Sequence, residues 1–65
     1  MAAAIPSLDE IEATVERMEA RYCDSPLFAM YRRLTARFDE DLSDRRDRAL
    51  SRAAVLMLLK YAGEP

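Results

Sequence analysis

Apolar residues recur at alternating spacings of three and four through Leu8, Ile11, Val15, Met18 and Tyr22, the period of a narrow helical seam that packs on a neighbour along one edge. Just before it, Ser7-Leu8-Asp9-Glu10 has the form of a capping box, with the Ser7 hydroxyl accepting from the Glu10 amide. The pattern predicts a helix over residues 8–23. Asp24-Ser25-Pro26 then marks a stop, because a residue before proline is pushed out of the helical region. Ser25 is expected to cap a second helix over 26–40. There Leu27, Phe28, Met30, Tyr31, Leu34 and Phe38, together with Leu42, sweep an arc of roughly 160° at helical spacing, a broad core-facing surface.

No glycine or proline stands between Pro26 and Gly63, so one long helix is an alternative. Extending the three-four seam beyond Phe38 lands on Asp41, Arg45, Arg48 and Arg52, charges where a sustained seam needs apolar residues. The expected break lies within 40–43, with Ser43 or Asp44 capping a third helix over 44–62 and Asp44 and Asp47 in its positive first turn. Leu50, Ala54, Met57 and Tyr61 share one face of this helix and are expected to turn toward the core. Gly63 is expected to close it in the left-handed conformation. From Ala53 to Leu59 the helix is apolar all round. Two neighbours cannot cover a third helix on every side, so Val55, Leu56 and Leu59, which point away from the Leu50/Met57 face, are expected to remain outside. The fold class expected is all-α, a small three-helix bundle that dimerisation would complete, in one domain spanning 1–65 with 1–6 and 64–65 frayed.

Size adds weight to association. A folded chain of 65 residues buries only about 60% of the surface its unfolded form exposes. With Cys23 as the single cysteine and no histidine, neither an internal disulfide nor an ordinary Cys/His zinc site can make up the difference. The net charge of −2 hides a polarity: residues 1–24 carry six acids against two arginines, and residues 25–65 carry eight basic residues against six acids. An acidic first helix lying beside the more basic remainder is the expected consequence. The start Met-Ala-Ala-Ala-Ile-Pro lacks the basic and long apolar segments of a signal peptide, and the longest apolar run, Ala53–Leu59, is too short to cross a bilayer. A cytoplasmic protein with no membrane span is expected.

The chemistry on offer is narrow. Without histidine, Ser-His and Cys-His nucleophilic pairs cannot be built. A single glycine, Gly63, leaves no loop to cradle phosphate. Asp9, Glu12, Glu16 and Glu19 form an acidic stripe on the first helix, expected to be a solvated face and not a metal site. Cys23 reads as a small structural hydrophobe. No cofactor, metal or catalytic residue is expected.

Arg32, Arg33, Arg37, Arg45, Arg46, Arg48 and Arg52 crowd one stretch, but acids are interleaved and the pI is about 5.0, which argues against a nucleic-acid module. The expected function is that of a non-catalytic protein-protein interaction protein: a regulator, inhibitor or accessory subunit that occupies another protein's surface. Val55, Leu56 and Leu59 would supply apolar contact, Arg45, Arg48 and Arg52 would orient an acidic counterpart, and the chain would form a homodimer. Two alternatives stand beside it. One is a nucleic-acid binder using Arg45, Arg46, Arg48 and Arg52. The other is an acidic mimic of nucleic acid, such as a phage-encoded inhibitor, presenting Asp9, Glu12, Glu16 and Glu19 to a nucleic-acid-binding enzyme.

Overall fold

The computed structural model describes residues 5–63 and contains three α-helices: α1 (Leu8–Tyr22), α2 (Phe28–Asp41) and α3 (Arg45–Gly63). The predicted fraying of 1–4 and 64–65 lies outside the described residues. Within them, Ile5 is exposed, while the Pro6 carbonyl accepts a hydrogen bond from Arg46 at 3.3 Å, which ties the entry of α1 to the start of α3.

The local chemistry of the first helix start is as expected. Ser7 takes an extended conformation and its hydroxyl accepts from the Glu10 amide at 3.2 Å. The first seam also points inward: Ile11 and Val15 are buried, and Leu8, Met18 and Tyr22 partly so. The second start differs. The Ser25 hydroxyl accepts from the Leu27 amide, two residues on, and the Ser25 carbonyl accepts from the Phe28 amide. These bonds wind residues 23–27 into a turn, so α2 begins at Phe28 without a side-chain cap. A short hydroxyl that finds a donor two residues away stabilises the turn in place of the helix end.

Between α2 and α3 the chain breaks where the charged positions interrupt the seam. Leu42 is extended, with φ −108° and ψ 118°. The Asp44 carboxylate accepts from the Arg46 amide at 2.9 Å, capping α3. Arg48 reaches back to donate to the Leu42 carbonyl at 3.1 Å, satisfying an acceptor that the broken helix leaves free. At the other end Gly63 is still helical, and no glycine among the described residues has positive φ, so the expected left-handed closure at Gly63 is not seen.

The third helix is central, packing against both α1 and α2. The core gathers Val15, Tyr31, Leu56 and Leu59, with Met18, Leu27, Phe28, Ala53 and Val55 closing around it. Tyr31 and Leu56 are the two fully buried large side chains. The α2 contribution is narrower than the predicted arc, because Met30 and Leu34 are exposed. Cys23 is exposed too, its thiol directed at the Ala20 carbonyl, and is no part of the core. The molecule is a slab of 36 × 31 × 16 Å, with a radius of gyration of 12.3 Å against about 11 Å for a typical domain of this length. No described helix is long and apolar enough to cross a membrane.

Candidate interaction surfaces

The orientation of α3 is the reverse of the expectation. Leu56 is fully buried and Leu59 is 8% exposed, with Val55 partly buried. The face expected inside lies outside: Leu50 and Met57 are 47% and 43% exposed, Tyr61 is 73% exposed, and Ala54 is exposed as well. Leu58 joins them at 67%. Val55, Leu56 and Leu59 therefore cannot form the outer contact expected of them.

The reason lies one turn further toward the helix N-terminus. At 100° per residue, Leu56 and Leu59 share a face with Arg45, Arg48 and Arg52. Burying the two leucines turns those arginines toward α1 and α2, where acids wait. Arg45 grips Glu12 through two hydrogen bonds, Nε to Oε2 at 2.7 Å and a second guanidinium nitrogen to Oε1. Arg52 donates to both oxygens of Asp39 at 2.9 and 3.0 Å. Of the six residues expected to form a docking face, Arg45 and Arg52 do meet acidic partners, but within the chain; Arg48 meets backbone carbonyls, and Val55, Leu56 and Leu59 turn inward.

A groove of about 470 Å³ separates α1 from α3, with Glu12, Glu16 and Glu19 on one wall and Arg45, Arg48 and Arg52 on the other. Its charges are largely matched. The hydrogen bond from Arg45 holds the Glu12 carboxyl below its ordinary range and, reciprocally, raises the guanidinium. Glu19 accepts from the Tyr31 hydroxyl at 2.6 Å. Burial, reinforced by that bond, pushes the Tyr31 phenol well above its usual value. Asp9 adds favourable charge near Arg45. The acidic stripe is therefore not a uniform solvated line, since Glu12 and Glu19 are committed to internal partners. Among the described residues, no cluster of three or more acids and cysteines is arranged to hold a metal ion.

A second groove, of about 300 Å³, lies at the other side of the α1/α3 contact and is bordered by Pro6, Ile11, Thr14, Leu50 and Ala53. It is continuous through Leu50 with the outer stripe of α3, because residues three and four apart on a helix adjoin. Leu50, Ala54, Met57, Leu58 and Tyr61 then run for three turns with no charged residue among them. This stripe is the surface that sequence reasoning assigned to the core. The signal that could have placed it was the acidic stripe of α1, which requires a basic face opposite and so fixes which side of α3 turns in. No family model, curated protein or solved structure matches this chain.

Proposed function

We propose that the chain is a non-catalytic protein-protein interaction protein, a regulator, inhibitor or accessory subunit, and that it binds through the outer face of α3. The observation that carries this reading is the uninterrupted apolar stripe of Leu50, Ala54, Met57, Leu58 and Tyr61. Scattered exposed leucines are ordinary, but a contiguous apolar strip on a charged protein marks a contact surface. The charged residues of this 34% charged chain are kept off the strip, as they are from the centres of protein interfaces.

The nucleic-acid readings gain no support. Arg45, Arg48 and Arg52 have internal acceptors in Glu12, the Leu42 carbonyl and Asp39, and Arg46 donates to Pro6. Phosphate contact would compete with these bonds for the same guanidinium groups. The mimic reading loses the free charge of Glu12, which Arg45 neutralises, and finds Glu19 held by the Tyr31 hydroxyl.

The test is capture from the source cell with the full chain and with Leu58→Asp as bait, partners being identified by mass spectrometry. Leu58→Asp leaves the fold intact because the side chain is solvent-facing, and it is expected to abolish capture. Equal recovery of the same proteins by both baits would contradict the proposal.

A further inference from the structure

The arginines of α2 and α3 differ in what answers them. Those of α3 have acceptors inside the molecule: Glu12 for Arg45, Asp39 for Arg52, and the Pro6 and Leu42 carbonyls for Arg46 and Arg48. In α2, the exposed side chains of Arg32, Arg33 and Arg37 make no ion pair or hydrogen bond among the described residues. No acid stands between Asp24 and Asp39, so the three form an uncompensated cationic segment in a chain of net charge −2. Arg33 and Arg37 are four residues apart, an arrangement that destabilises a helix when the charges are alike. Asp39, Glu40 and Asp41 then fill the last turn, where the helix dipole disfavours acids. Of these acids only Asp39 is answered within the described residues, by Arg52. Charges that break the local rule without compensation inside the chain are expected at contact sites.

Beside these arginines stand two exposed apolar residues, Met30 and Leu34. At helical spacing Met30 and Leu34 form one row along α2, and Arg33 and Arg37 form the row next to it. Every helix has such rows. Here one is apolar, its neighbour is cationic, and neither is covered by the described residues. We propose that this face of α2 docks an acidic amphipathic helix of another protein, with its apolar ridge seated on Met30 and Leu34 and its carboxylates on Arg33 and Arg37. This surface is additional to the outer strip of α3 and does not depend on it.

Charge selects this occupant. A carboxylate set between Arg33 and Arg37 accepts charge-assisted hydrogen bonds from both guanidinium forks and turns a repulsive pair into an attractive site. A partner helix holds apolar and acidic side chains in adjacent rows at the pitch of α2, which an extended acidic peptide does not. Nucleic acid fits less well, because a continuous phosphate chain following the cationic row meets Glu40 and Asp41, three and four residues beyond Arg37. An anionic bilayer meets the same acids and finds only Met30 and Leu34 to bury below its headgroups. The cationic row is short, so a short acidic helix is matched to it and a long polyanion is not.

The probe is a dye-labelled, lactam-stapled helical peptide with leucines in one row and glutamates in the next, titrated with the full chain at low and at physiological salt. The same peptide with glutamine for glutamate, vesicles containing phosphatidylserine and a random DNA duplex are titrated beside it. The glutamate peptide should bind at least about tenfold more tightly than the glutamine peptide, and more tightly than vesicles or duplex. Arg33→Glu with Arg37→Glu should abolish that binding, whereas Leu58→Asp should leave it unchanged. Arg33→Glu alone should raise the thermal midpoint of the free chain by about 2–4 °C, because its like-charge pair with Arg37 becomes an opposite-charge one. A lowered midpoint would make Arg33 structural and overturn the proposal. So would no binding of the glutamate peptide, equal binding of the two peptides, tighter binding of duplex or vesicles, or a double variant that binds as before. Loss of binding with Leu58→Asp and not with the arginine variants would move the peptide to α3, overturning this inference and leaving the reading of the α3 strip intact. Conversely, if binding follows the arginines while cellular capture is indifferent to Leu58→Asp, the α3 reading alone fails.

Discussion

Two residues with polar ties between helices, Tyr31 and Glu12, each leave a signature in pH. Tyr31 is 1% exposed and its hydroxyl donates to Glu19. Because its folded phenol titrates above the ordinary value of 10.0, the folded state holds its proton more tightly than the unfolded state. The resulting stability is complete below pH 10 and is lost as pH rises from there through the folded value. Tyr31→Phe is expected to cost about 1 kcal/mol at neutral pH, the worth of one partly buried hydrogen bond, and to flatten the alkaline loss. Urea unfolding at pH 7 and in steps above pH 10 checks both. Glu12 behaves in the opposite sense. Arg45 depresses its folded value below the ordinary 4.5, so its contribution is present above that value and disappears as pH falls through the folded one. Glu12→Gln should give a shallower loss of stability on acidification, measured by the same unfolding series below pH 5.

The elements show why part of the architecture could be read from the chain and part could not. A helix start is encoded by a few adjacent residues, and Ser7 and Asp44 act as their types predict. Asp44→Ala is expected to destabilise the protein by about 1 kcal/mol, seen as a lowered thermal midpoint with unchanged helical content. The break before α3 was legible because charges at Asp41 and Arg45 interrupt a period. The seam of α1 was legible because only one of its faces is apolar. In α3 the segment 53–59 is apolar on every side, so periodicity cannot choose between Leu50/Met57 and Leu56/Leu59. The orientation that buries Leu56 and Leu59 also pairs Arg45 with Glu12 and Arg52 with Asp39, residues 33 and 13 positions apart, which no local period encodes. Ser25 eluded prediction for a more local reason, its hydroxyl having a closer donor in the turn than in the helix.

At the scale of the whole molecule, a slab 16 Å thick gives α3 a buried side and an open side. The buried side holds the monomer together and the open side is free to meet a second protein surface. Chains this short have total stabilities of only about 3–10 kcal/mol, so a charge placed in the core should unfold the chain, whereas a charge on the open side should not. Thermal melting by circular dichroism of Leu56→Asp beside Leu58→Asp, two residues apart on the same helix, tests this division most directly. Leu56→Asp is expected to lose its cooperative transition, and Leu58→Asp to retain native helicity and melt cooperatively even when dilute. A folded Leu56→Asp together with an unfolded Leu58→Asp would contradict it.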